Sequence, residues 1–392
     1  MAKISKVHTK AHGKILWLGG YSILEKGNIG YVTTVDAGVH VHLSLNDEDI
    51  IRIEVPQFDV RAEGKVDLKT GKFGFEPKKE MLLVKIAAEA ALMYAVSEGC
   101  RISGFNIRSE NDPAFSYRIG DGGRKVSKSG LGSSAAVTAA TVGAVLTAFG
   151  LDFYKDDTLH KIAQVAHALG TGKIGSGFDI AAASYGDIIY SRYSPELIKD
   201  FPKDFSMNDV SRIVKMRWDY SIERFPLPNV FDFLVANFVG NAAITTSMVG
   251  SVNGFKETNR QEYDKIIREM DDRNRTAIEK LRLLQKIGEE ESFNEFKSAF
   301  DQARVASKRL GKLSNVPIEP DDATELIEES NANGGFATKL PGAGGYDSIA
   351  SLIRVENGNK GMDKLRKFWS EKENLSTLKV VSNRKGVEVL KD

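Results

Sequence analysis

From residue 129 to residue 151 the chain carries no charged side chain, and positions 135–149 are almost all Ala, Val, Thr, Leu and Gly. A helix that is apolar on every side has to lie inside a protein, so this segment places a buried helix at the heart of the fold. Its richness in Gly, Ser and Thr speaks against a membrane span. The helix is introduced by Gly130-Leu131-Gly132-Ser133-Ser134 and closed at Gly150. Two glycines make a tight turn of bare backbone, and Ser133 and Ser134 stand where a capping hydroxyl belongs. Free amides and the positive end of a helix dipole then face the turn, an arrangement that binds phosphate. On these residues alone, a turn that merely caps a core helix explains the pattern equally well. The spacing is neither that of a Walker A loop nor that of a dinucleotide fingerprint.

The remaining composition narrows the function classes. With 392 residues and 42% hydrophobic side chains the chain can bury a large core, and two domains are expected, over 1–205 and 206–392. Lys and Arg number 54 against 53 Asp and Glu, so no bulk field attracts nucleic acid or an acidic membrane. An anionic substrate has to be recognised locally. Cys100 is the single cysteine, which leaves no internal disulfide and no multi-cysteine metal site. The first residues show no apolar run of signal-peptide length, and a cytoplasmic location is expected.

In chain order, strands are expected across 7–45 and 51–55, then a helix over 76–97 with Pro77 near its first position. Residues 107–125 read as a long surface loop, 156–170 as an amphipathic helix and 187–193 as a strand. The second half resumes with a strand at 231–238. Charge-dense helices follow over 257–286 and 292–310, and no chemistry is assigned to them. A helix at 321–332, a strand–turn–strand at 337–350, a helix at 360–372 and strands at 378–382 and 386–390 complete the chain.

Three further motifs carry candidate chemistry. Ala11-His12-Gly13-Lys14 leads an apolar strand into Gly19-Gly20-Tyr21; a lysine there is more often a solvated strand residue than a functional one. Lys173-Ile174-Gly175-Ser176-Gly177-Phe178-Asp179 puts a carboxylate at the start of a small-residue run, where a helix-capping Asp is the plain alternative. Leu340-Pro341-Gly342-Ala343-Gly344-Gly345-Tyr346-Asp347 reads by itself as a hairpin turn.

In this order the motifs resemble those of the GHMP kinases, the family of galactokinase, homoserine kinase and the mevalonate-pathway kinases. The Gly-Gly-Tyr, Lys-x-Gly-Ser-Gly-Phe-Asp and Gly-Ala-Gly-Gly-Tyr-Asp forms are similar to its phosphomevalonate-kinase branch of the eukaryotic type. Two departures stand out: His12 replaces the usual proline, and His167-Ala168 stand where mevalonate kinase has a glutamate that binds metal. The resemblance implies an α+β GHMP kinase fold, with a ribosomal-protein-S5-like N-terminal domain and a ferredoxin-like C-terminal domain. It implies transfer of the ATP γ-phosphoryl group to 5-phosphomevalonate, or, within the same fold, action on a hydroxyl, decarboxylation or silent ligand sensing. Lys14 and Asp179 would be catalytic. Lys128, Gly130, Leu131, Gly132, Ser133, Ser134, Gly342 and Gly344 would hold the ATP phosphates. Ser134 would ligate Mg²⁺, and Lys173, Ser176, Thr245 and Gly345 would meet the substrate. The expected partners are these small molecules, with no nucleic acid and no membrane, for a monomer or homodimer.

Overall fold

The computed structural model describes residues 3–119, 125–239, 245–286, 289–355 and 360–391. The first half is built on strands β1 (Lys6–Leu18), β2 (Ile29–Leu45), β3 (Ile50–Val55) and β4 (Val60–Lys65), followed by helix α1 (Leu82–Ser97) and strand β5 (Phe105–Asn111). A small hairpin, β6 (Ser116–Ile119) and β7 (Lys125–Lys128), leads to α2 (Ser133–Ala148), α3 (Thr158–Thr171), α4 (Phe178–Tyr185) and β8 (Ile188–Ser191). Short helices α5 (Glu196–Lys199) and α6 (Met207–Lys215) and strand β9 (Ser221–Arg224) close this part. The second half holds β10 (Phe231–Phe238), α7 (Thr245–Thr258), α8 (Arg260–Lys286), α9 (Glu290–Ser314) and α10 (Asp321–Ala332). It ends with β11 (Ala337–Lys339), β12 (Ser348–Arg354), α11 (Lys360–Ser370), β13 (Leu375–Thr377) and β14 (Glu388–Leu390).

An eight-stranded sheet runs β14-β1-β2-β5-β3-β4, with β8 also paired to β2 and β9 to β8; a second sheet runs β11-β12-β10-β13. The chain crosses from the first sheet to the second between β9 and β10 and returns at its end, where Glu388 stands opposite Lys10 on β1. Alternation sets the faces of the first sheet: Val7, Thr9 and Ala11 are buried while Lys6, His8 and Lys10 are not. The buried face carries the helices, and Thr9 Oγ1 donates to the Ala140 carbonyl of α2 at 2.8 Å.

The uncharged helix is buried as its composition requires: twelve of the sixteen residues of α2 are out of solvent, packed on β1, β2 and helices α1, α3 and α4. Its start differs from expectation. The N-cap is Gly132 in the left-handed region at φ 86°, and no side chain caps the helix. The Ser133 and Ser134 hydroxyls are thus not spent on capping.

Three other expectations are corrected. Helix α1 begins at Leu82 rather than 76, because Lys78 is extended (ψ 153°) and a single 3₁₀ turn over Lys79–Met81 intervenes. Residues 107–125 are not a surface loop: they include the end of β5, which pairs with β2 and β3, and the β6–β7 hairpin. The strand expected at 378–382 is Leu375–Thr377, and the last strand, Glu388–Leu390, lies on the first sheet instead of completing the second.

Candidate active site

A cavity of ≈ 670 Å³ opens where the two sheets approach each other. Its walls are the end of β1, the turn after it, the 129–134 turn, α3, the 173–179 loop and, from the second half, the turn after β11. Lys14, Gly130, Leu131, Gly132, Ser133, Ser134, Lys173, Ser176, Asp179 and Gly342 all line it. Lys14 and Gly342, 328 positions apart, thus line one cavity. Gly344 and Gly345 do not line it. Gly345 N–H donates to the Ile318 carbonyl at 3.0 Å, and a Cβ on Gly344 would lie 2.1 Å from the same oxygen, so both shape the turn. The side chains of Lys128 and Thr245 lie outside the described residues.

Lys14 is placed by backbone and side chain together. Its N–H donates to Leu131 O at 2.9 Å and its Nζ to Gly130 O at 3.0 Å, stitching β1 to the glycine turn. Gly132 has to be a glycine, since its φ is positive and an added Cβ would sit 3.0 Å from Lys14 Cε. The ammonium lies 5.6 Å from the centre of the Phe178 ring, within cation–π range. Burial of the ammonium lowers the Lys14 pKa from its ordinary value, while the charges of Asp179 and Asp347 pull it back up. Lys14 therefore lies within electrostatic reach of two carboxylates, beside the glycine turn.

The first intrahelical bond of α2 runs from Ala136 N–H to Gly132 O at 3.2 Å. The amides of Ser133, Ser134 and Ala135 precede it at the positive end of the helix dipole, and Ser133 and Ser134 line the cavity. His167 Nε2, from α3, stands 3.2 Å from Ser134 Oγ. Opposite, Asp179 lies in the first turn of α4 and accepts from Ile180 N–H at 3.0 Å; the N-cap is Gly177 and no side chain caps the helix, so Asp179 is not its capping residue. Lys173 is exposed at the rim.

Two residues of this wall were not singled out from the sequence. Asp347 lines the cavity and acts electrostatically on Lys14; it ends the quoted Gly-Ala-Gly-Gly-Tyr-Asp run, and that position was the available signal. For His167 the sequence signal is only that it stands where a carboxylate is expected. Among the described residues no group of three or more His, Cys, Asp or Glu is arranged to hold a metal ion. Among the groups lining the cavity are the Ser134 hydroxyl and the carboxylates of Asp179 and Asp347, hard oxygen donors that suit Mg²⁺, an ion that keeps several waters and takes phosphate oxygens. A second hollow of ≈ 610 Å³ lies on the outer face of the first sheet, where Arg52 and Arg108 already pair with Glu48, Glu63, Glu54 and Glu110. It leaves little charge for a ligand.

A glycine turn at the start of a buried helix, a lysine on the first strand and a second small sheet closing the cleft define the class. The fold is that of the GHMP kinases, and residues 83–187 match the family described as "GHMP kinases N terminal domain". Across nearly its whole length it is similar to phosphomevalonate kinases. That of Candida albicans is 28% identical, over 88% of this chain and 89% of the relative. The peroxisomal phosphomevalonate kinase of Arabidopsis thaliana is 25% identical, over 95% and 94%. In fold, the chain resembles Streptococcus pneumoniae phosphomevalonate kinase in complex with phosphomevalonate and AMPPNP, with a TM-score of 0.71, 19% identity and coverage of 99% and 100%.

Proposed function

We propose that this chain transfers the γ-phosphoryl group of ATP to the phosphate of 5-phosphomevalonate, giving ADP and 5-diphosphomevalonate. The observation that carries the reading is that one cavity holds both the 130–134 amide turn and the Lys173–Asp179 loop, with Lys14 between them. An acceptor phosphate oxygen attacks the γ-phosphorus in line, and the bond to the β,γ-bridging oxygen breaks. There is little covalent work for the protein to do, so positioning and charge stabilisation supply the catalysis.

The amides of Ser133 and Ser134 cradle the nucleotide phosphates, and Lys14 neutralises charge on the transferring group. Ser134, with Asp179 and Asp347 near, would hold Mg²⁺, whose contribution when bound is to offset phosphate charge. Lys173, at the rim, meets the acceptor's phosphate. A phosphate monoester with a second pKa of about 6 is already largely a dianion at neutral pH, so Asp179 orients Lys14 rather than removing a proton. Among the described residues no helix is long and apolar enough to cross a membrane, and the reading puts the enzyme in the cytoplasm as a monomer or homodimer.

The test is ADP release from Mg-ATP with 5-phosphomevalonate and mevalonate offered separately, with Lys173→Ala alongside. Turnover with 5-phosphomevalonate alone, weakened in Lys173→Ala chiefly through the acceptor KM, is the expected result. Turnover with mevalonate alone moves the enzyme to the hydroxyl kinases.

A further inference from the structure

The loop between α3 and α4 is held from behind by three side chains, one for each of three successive carbonyls. Gly175 O accepts from Arg192 Nη2 at 2.8 Å, Ser176 O from the Tyr190 hydroxyl at 3.1 Å, and Gly177 O from Gln164 Nε2 at 2.8 Å. In a trans peptide the N–H points opposite to the carbonyl that precedes it. With the carbonyls of 175, 176 and 177 turned inward to α3 and β8, the amides of Ser176, Gly177 and Phe178 turn outward. That side is the cavity, which all three residues line. Successive amides facing one way form a concave anion-binding surface.

The clamp leaves no slack. Gly177 sits at φ +82°, and a Cβ there would lie 2.8 Å from Gln164 Nε2 and 2.9 Å from the Tyr190 hydroxyl. Arg192 reaches further than the others. Its Nη1 donates to the carbonyl of Leu24, a residue of the facing wall, so one buried guanidinium (7% exposed) straps the 175–177 loop to the turn that follows β1. Arg192 does not itself line the cavity.

We propose that Arg192, Tyr190 and Gln164 are positioning residues that aim the 175–177 amides at the acceptor's phosphate and so set the affinity for a phosphate-bearing acceptor. This rests on the reading that the acceptor carries a phosphate. The fork of the arginine puts a separate nitrogen on Gly175 O and on Leu24 O, whereas a lysine ammonium has to reach both carbonyls from a single point.

The experiment compares wild type with Tyr190→Phe and Arg192→Lys, measuring KM for 5-phosphomevalonate at saturating Mg-ATP, KM for Mg-ATP at saturating 5-phosphomevalonate, and the thermal midpoint. Expected is a rise of roughly tenfold in the acceptor KM in each variant, the size of one lost hydrogen bond, with the ATP KM within about twofold of wild type. Tyr190→Phe keeps the ring in place, so it decides the matter if Arg192→Lys does not fold. Unchanged acceptor KM in a folded Tyr190→Phe, or an equal rise in both KM values, overturns the clamp. Absence of wild-type turnover with 5-phosphomevalonate instead overturns the proposed function, so the two failures are told apart.

Discussion

His167 Nε2 lies 3.2 Å from Ser134 Oγ, joining the C-terminal half of α3 to the first turn of α2 at the wall of the cavity. The hydroxyl is available for this contact because Gly132, and no side chain, caps α2. If the imidazole and the hydroxyl act as one unit, their losses do not add. Ser134→Ala should lower kcat/KM for Mg-ATP about 10- to 100-fold, and His167→Ala several-fold. The double variant should be no worse than Ser134→Ala. Steady-state kinetics on the four proteins checks this, and multiplying losses would show that His167 acts elsewhere.

Lys14 is the charge on which the proposed chemistry leans most. Lys14→Met should reduce kcat about 10³-fold with a much smaller change in the KM for ATP, because the interaction grows as charge develops on the transferring group. Burial lowers the Lys14 pKa, so the ammonium loses its proton at lower pH than an ordinary lysine does. The alkaline limb of kcat/KM for ATP should therefore begin below pH 10.5, the ordinary lysine value. A profile flat to that pH would remove Lys14 from the free enzyme's essential ionisations.

Asp179→Asn separates orientation from proton removal. Its carboxylate raises the Lys14 pKa, so neutralising it should move the alkaline limb to lower pH. Between about pH 6.5 and 8, where a phosphate acceptor is mostly dianionic, the loss in kcat should stay constant. A loss that shrinks steeply as pH rises past the phosphate pKa would make Asp179 a base.

Much of this site was legible because its parts are local. Glycine turns, a charge-free helix and a carboxylate before small residues are patterns of consecutive positions. Strand β10 and helix α10 fall on the residues that period and punctuation indicate, 231–238 and 321–332. What stayed hidden is long-range or cooperative. The pairing of β14 with β1 joins His8 to Leu390, and no local pattern reports it. The hairpin β6–β7 was masked by Asn111-Asp112-Pro113, whose turn composition also fits a continuous loop. Helix α8, set aside as a solvated charge run, reaches the site's edge: Asn274 Oδ1 accepts from Gly19 N–H at 3.0 Å and its Nδ2 donates to Ser22 Oγ at 3.0 Å. One buried amide among charged neighbours gives no periodic signal.

Lys339, on β11, donates from Nζ to Trp17 O at 2.8 Å, and its surroundings include a hollow of only ≈ 20 Å³ bordered by Gly20, Tyr21 and Gly342. Burial pushes its pKa down to about 8; Glu319 pulls the other way, and Arg304 adds to the lowering. In the unfolded chain the group returns to its ordinary 10.5. Below pH 8 both states hold the proton, and the folded state bears the full cost of the buried charge. Between about 8 and 10.5 the unfolded state binds a proton that the folded state has released, so stability rises with pH in this window. The shift sets an upper limit of about 3 kcal/mol, and the partial exposure of the side chain reduces it to about 1–2 kcal/mol. Lys339→Met abolishes the effect while leaving other alkaline titrations in place. The unfolding free energy of wild type minus that of Lys339→Met, from urea denaturation, should therefore increase between pH 7 and pH 10. A difference that stays level or falls would mean that Lys339 keeps an ordinary pKa in the folded protein.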